Sequence, residues 1–206
     1  MRAHGTLLPG EVCEALSKLV ELVHPERGGA PSSTVYHALL VLDATRKGPV
    51  GRPRLAHTAG LGEASTRTLL QRLEEYGMLS HSRRGYSITP TGVEALRAAT
   101  SVLRGLKVEV PGLEDLEALE ARVPGPRDLA GVYKVRDHII MEGCRLALVG
   151  RCEGESIVFP GAPVEARPLE PCFPGSLIVL VKPGCLPRAY TGIARYLLEE
   201  HCGRES

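Results

Sequence analysis

The residues with the most chemical capacity in this 206-residue chain lie in a few short runs and a scatter of thiols. Asp137, His138 and Glu142 share a helical run, and His138 with Glu142 stands at i, i+4. That spacing lets an imidazole and a carboxylate bind one metal ion or pass one proton, although solvated and capping pairs have it too. No GxSxG, HExxH, GxxxxGK[ST] or CxxC pattern accompanies the pair, so no catalytic residue, resident metal or cofactor is expected. Two turns carry cations where a strand should hand over to a helix. One holds Lys134, Arg136 and Asp137, the other Lys182, Gly184, Arg188, Tyr190 and Thr191. Unpaired N–H groups at such places hold a small anionic metabolite, while ordinary surface charge and helix capping explain the same residues without one. Five of six cysteines, Cys144, Cys152, Cys172, Cys185 and Cys202, lie in the C-terminal half. Without CxxC spacing they read as buried thiols or one or two bridges, and a zinc site would have to recruit His138 or His201.

A different chemistry is written between Gly51 and Gly92. In TLLQRLEEYG and the residues before it, Thr66, Leu69, Leu70 and Leu73 recur at i, i+3, i+4, i+7, giving one helix face to a core. The opposite face carries Ser65, Arg67, Thr68, Gln71 and Arg72, hydroxyls, an amide and guanidiniums that donate to base edges and phosphates. Glu63 suits the positive start of that helix but would repel a phosphate nearby. Ahead of it a helix bearing Arg52 and Arg54 ends at Gly60-Leu61-Gly62, where glycine permits positive φ and Leu61 plugs the core. Gly77 stops the second helix. Met78 to Ser82 and Tyr86 to Thr89 then form two strands joined by Arg83, Arg84 and Gly85. Helix, glycine turn, helix and basic hairpin is the order of a winged helix-turn-helix, which sets its second helix in the DNA major groove and its hairpin on the flanking backbone.

The run TLLQRLEEYGMLSHSRRGYSITPTG resembles the recognition helix and wing of bacterial and archaeal winged-helix repressors, with Leu73, Gly77, Gly85 and Thr89 as its marks. With its leading helix and C-terminal half, the chain is similar to an archaeal family of winged-helix proteins whose C-terminal domain has no established function. The resemblance implies an architecture and, for about a third of the chain, double-stranded DNA as partner. A winged helix also serves as a protein-interaction scaffold without DNA, and that stands as the first alternative, with a metal-dependent enzyme using the His138–Glu142 pair as the second. On the prior set by regulators of this architecture, a homodimer is expected, matching a palindromic site.

The remaining elements must position these residues. Val12, Leu16, Leu19, Val20 and Val23 line one face of a leading helix, which packs on the module or pairs with its twin. A helix capped by Ser32 or Ser33 runs to about Arg46 with Val35, Leu39, Leu42 and Tyr36 inward. Pro90 opens another, to about Arg104, with Val93, Leu96, Ala99, Val102 and Leu103 in the core. Beyond a linker containing LEDLEALEAR, expected as a short helix or solvated connection, the pattern becomes mixed. Strands are expected over 130–134, 146–150, 156–159 and 176–182, and helices over 135–143, with Ile139 and Ile140 inward, and 187–201.

The expected class is α+β, an N-terminal winged helix-turn-helix domain followed by a small α/β sandwich. The divisions are 1–31 for the leading helix and loop, 32–105 for the winged helix, 106–127 for the linker and 128–206 for a ligand-sensing or dimerisation domain. Charge follows this division: residues 43–104 carry net +5, residues 1–42 net −1 and residues 105–206 net −3, so electropositive character is confined to the winged-helix segment. No stretch approaches a membrane span and the start lacks a secretory signal, so a cytoplasmic protein without membrane contact is expected. There is no Asn, one Gln, 16 Pro, and Arg outnumbers Lys 20 to 5. Amide depletion and loop prolines suit a hot habitat, where intracellular disulfides are tolerated. Together these readings give a transcriptional regulator whose C-terminal domain senses a small molecule.

Overall fold

A computed structural model describes residues 7–24, 33–113 and 115–203. The protein is mixed α+β. In chain order its elements are α1 (Gly10–Val23), α2 (Val35–Ala44), α3 (Arg52–Ala59), α4 (Glu63–Glu75), β1 (Leu79–Ser82), β2 (Gly85–Ile88), α5 (Pro90–Val102), β3 (Leu103–Leu106), β4 (Val108–Glu109), β5 (Glu117–Pro124), α6 (Leu129–Met141), β6 (Ala147–Glu153), β7 (Ser156–Val158), β8 (Arg167–Pro168), β9 (Ser176–Val181) and α7 (Leu186–Glu200). They divide into two units, residues 10–99 and residues 1–9 with 100–206. Among the described residues no helix is long and apolar enough to cross a membrane.

The unit of residues 10–99 is helical with one hairpin. Its core is built by Leu16 and Leu19 of α1, Val35, Val41 and Leu42 of α2, Leu55 of α3, and Leu69, Leu70 and Leu73 of α4, all but fully buried. The apolar face of α1 is therefore spent on α2 and α4 within the unit, so the expected separate 1–31 segment is not separate. Val20 and Tyr36 are only half-buried. The cap of α2 is Thr34, not Ser32 or Ser33: Ser32 lies outside the described residues and Ser33 is buried. The Thr34 backbone N–H donates to Nδ1 of His37 at 3.0 Å, and burial pushes the His37 imidazole below its ordinary pKa. In the α3–α4 turn Gly60 takes φ 65°, whereas Gly62 is the extended N-cap of α4, and Leu61 is half-buried rather than a full plug. The end of α4 is a Schellman motif: Gly77 N–H bonds Glu74 O at 2.9 Å and Met78 N–H bonds Leu73 O at 2.8 Å, while buried Met78 supplies the apolar closure. In α5 the expected core residue Val93 is exposed and its neighbour Gly92 faces inward. A Cβ on Gly92 would lie 2.2 Å from Met78 O, so the helix docks there on backbone and turns Val93 outward.

The other unit carries a five-stranded sheet in the order β3-β5-β9-β6-β7, every neighbour antiparallel. Helices α6 and α7 pack on it and on each other, and a Cβ on Gly192 would lie 2.9 Å from His138 O, so glycine permits their close approach. Another layer of buried residues, Leu106, Ala118, Cys152, Ile157, Phe159, Ile178 and Leu180, packs with the β4–β8 ribbon. Three expectations are corrected. The linker 106–127 is largely sheet: β3 and β5 lie within or against it, and β5 pairs with β9 from Glu117↔Val181 to Pro124↔Ser176. The alternation of Glu and Ala in β5 mimics a solvated segment because Glu120 is a charged residue buried completely. The run 130–134 is not a strand but the first turns of α6, capped by Asp128, whose Oδ1 accepts the Gly131 N–H at 2.8 Å. Ile140 stands 36% exposed, so Ile139 alone of that pair turns inward.

Glu120 is held by three donors: the Phe173 N–H and Ser176 hydroxyl on Oε1, both at 2.6 Å, and Arg104 Nε on Oε2 at 2.5 Å. Burial alone would raise its pKa, but the bonds from Ser176, Phe173 and Arg104, with the Arg104 charge, outweigh it and lower it. Two disulfides brace the same unit, Cys144–Cys185 with Cα atoms 5.9 Å apart and Cys152–Cys172 at 6.2 Å.

Candidate nucleic-acid interface

Over residues 51–92 the chain forms α3, α4 and the β1–β2 hairpin, and a further bridge ties the hairpin to the residue ahead of α3. Val50 pairs with Tyr86 through reciprocal N–H···O bonds of 2.9 Å, an isolated bridge ahead of α3. This pairing explains Gly85. At φ 119° it sits where a Cβ would come within 2.5 Å of Val50 O. The turn contains two residues, Arg83 and Arg84, because Ser82 pairs directly with Gly85. Ser82 Oγ accepts the Arg84 N–H at 3.2 Å and donates to Gly85 O at 3.2 Å, fixing the tip while both arginine side chains remain exposed. His81 stacks on Tyr86 across the strands, ring centroids 4.4 Å apart.

On α4 the apolar residues are buried as expected and the polar ones divide into three groups. Arg67 and Gln71 are exposed, and Ser65 and Thr68 are half-buried. Thr68 Oγ1 is turned back onto Ala64 O at 3.1 Å, and Gln71 Nε2 donates to Glu75 Oε1 at 2.9 Å, a weak surface bond that an incoming base edge can displace. Arg72 is removed from the outward set. Its guanidinium donates to Leu22 O at 3.0 Å at the end of α1, where it satisfies a helix-terminal carbonyl.

Arg52 and Arg54 begin α3. Arg52 pairs with Glu63 at 2.9 Å, which offsets the acid at the start of α4 that would otherwise repel a phosphate. Arg52, Arg83 and Arg84 line one cleft of about 300 Å³ between α3 and the hairpin, and Arg54 lines a second of about 410 Å³ with Lys47 and Thr58. Sequence reading missed Lys47 and His81. His81 is placed by its cross-strand pairing with Tyr86 in the hairpin, and Lys47 by the turn between α2 and α3, which lines the second cleft.

The residues expected to hold a small anion in the other unit do not form a site. Lys134, Arg136 and Asp137 lie in the body of α6, without a strand-to-helix turn, and Lys134 pairs with Glu200 at 3.0 Å. At the start of α7 the anion's place is taken by the chain itself: Glu117 Oε2 accepts the N–H groups of Gly184 at 2.9 Å and Leu186 at 3.1 Å. Tyr190 and Thr191 are buried in the core, Arg188 donates to Gly143 O at 3.4 Å, and Lys182 is exposed. The sheet is antiparallel, so the strand-end rule for parallel sheets finds no crevice here. His138 and Glu142 are likewise turned to different partners, His138 Nε2 to Glu199 at 3.0 Å and Glu142 to Arg195 at 3.1 Å.

The features so far describe a mixed α+β protein whose helical unit exposes arginines on a hairpin tip and on one helix. No protein-family model matches the chain, and no curated protein matches it. Among solved structures it is similar to "Hypothetical protein PH0730 from Pyrococcus horikoshii OT3", with 21% identity over 84% of this chain and 96% of that one and a TM-score of 0.56. At that identity the likeness is one of fold.

Proposed function

We propose that residues 10–99 are a winged helix that binds double-stranded DNA, with α4 in the major groove and the Arg83–Arg84 tip on the flanking backbone. The observation that supports this reading is the exposure of Arg67 on a helix whose apolar face is consumed in the core and of Arg83 and Arg84 at the hairpin tip, inside the segment that carries the chain's positive charge. Arg67, with Gln71 beside it, reads base edges; Arg52, Arg54, Arg83 and Arg84 contact phosphates and set register. Arg72 plays no part in readout. The protein acts as a homodimeric, cytoplasmic transcriptional regulator, and the unit of residues 100–206 receives its signal. Disulfides suit that compartment in an organism of hot habitat, to which the amide-poor composition points.

Binding is tested by fluorescence anisotropy of a labelled duplex at two salt concentrations. Arg84→Ala is expected to weaken binding to every duplex and reduce the salt slope by about one, the signature of one lost phosphate contact. Unmeasurable binding near physiological salt, together with a stable protein partner, would transfer the unit to protein scaffolding.

A further inference from the structure

An unassigned cleft opens at the end of the five-stranded sheet. The central strand β9 begins at Ser176, opposite Pro124, while β6 continues beyond its last β9 partner, Arg151, to Glu153. β6 therefore extends past β9 while β5 ends level with it, and residues 173–175 cross the gap: Gly125 N–H bonds Gly175 O, and Gly175 N–H bonds Cys152 O, each at 2.8 Å. The space left is about 630 Å³, within the range of small-ligand sites.

Arg122, Arg127 and Arg151 line the cleft, with Glu153 as the only acid among the described residues that line it. Glu153 is engaged by Arg151. Arg122 and Arg127 make no ion pair among the described residues, so two guanidiniums are presented to one space without a counter-charge. Arg122 stands over the Phe173 ring at 5.7 Å, and that ring is 60% exposed, an unusual degree for phenylalanine. Its backbone is fixed by Glu120 from below, and the Cys152–Cys172 bridge fixes the segment immediately before it. A cation pair and an aromatic plate on a braced wall serve a ligand that has both an anionic group and a planar ring.

We propose that this cleft binds a nucleotide-class ligand, its phosphate held by Arg122 and Arg127 and its base stacked on Phe173. The assignment takes up the signal-receiving role proposed for this unit, but ligand binding is read without DNA and survives if the DNA reading fails.

The test is calorimetric titration of the full-length oxidised chain with AMP and GMP, with adenosine and inorganic phosphate as separate arms. At least one nucleotide is expected to bind saturably and more tightly than either fragment. Arg122→Ala combined with Arg127→Ala should raise its Kd at least tenfold, and Phe173→Ala should raise it several-fold. Arg136→Ala, which removes an exposed arginine outside the cleft, should leave Kd unchanged. These side chains are exposed, and unaltered melting of the variants keeps the comparison one of binding. Absence of saturable binding by both nucleotides at millimolar concentration, or binding indifferent to the cleft variants, would overturn the proposal.

Discussion

A carboxylate without solvent exposure depends on its donors. Glu120 has three, and they connect β5 to β3 through Arg104, to the Phe173 loop and to the start of β9. Glu120→Ala leaves the Arg104 guanidinium and two further donors without their acceptor, and about 3 kcal/mol should be lost in denaturant unfolding of this unit. Acid should act through the same group. Its folded pKa lies below the unfolded value, so its contribution is complete above about pH 4.3 and disappears as pH falls through the folded pKa. His37 acts at a higher pH in the other unit. Its folded pKa is lowered, so below about pH 6.5 the unfolded chain takes up the proton first and residues 10–99 lose stability on mild acidification. His37→Gln should flatten the dependence between pH 7 and pH 5, followed by thermal unfolding. At this scale sequence reading recognised Arg67, Arg83 and Arg84 correctly as outward residues. It could not foresee that Arg72 turns to Leu22 O, because that acceptor lies 50 residues away.

Elements were legible where one periodicity dominated. The face Thr66, Leu69, Leu70 and Leu73 is buried as its spacing requires, and the uninterrupted apolar run of β9 is a fully buried strand. The misreadings share a cause. β5 was hidden by two glutamates whose partners come from distant loops, and the start of α6 by small and β-branched residues, which local propensity assigns to strand. Glycines mark the close contacts between elements. Gly92→Ala places a methyl against Met78 O as well as the Ile88 side chain, and because the backbone oxygen cannot turn aside, about 2 kcal/mol should be lost from the helical unit. Gly85→Ala meets Val50 O and requires positive φ; it should detach Val50 from the hairpin, increase hydrogen exchange at the Val50 and Tyr86 amides, and weaken DNA binding without unfolding α4. The Cys152–Cys172 bridge closes a 20-residue separation, so replacing both cysteines by serine should cost the sheet unit about 3 kcal/mol in chemical denaturation.

At the scale of the molecule, charge and chemistry are divided between the two units. The positive segment 43–104 contains α3, α4 and the hairpin, whereas residues 105–206 are net negative yet gather in one cleft two arginines, Arg122 and Arg127, that make no ion pair among the described residues. The first pattern suits a polyanion met along a surface, the second a small anion met in a cavity. Selection of bound sequences from random duplex DNA at moderate salt, with wild type and Arg67→Ala in parallel, tests the central claim most directly. The account predicts an enriched inverted repeat for wild type, half-sites about one helical turn apart, and loss of the preferred bases with Arg67→Ala while duplex is still retained. No duplex retained by wild type, or the same enriched sequence from both proteins, would contradict it.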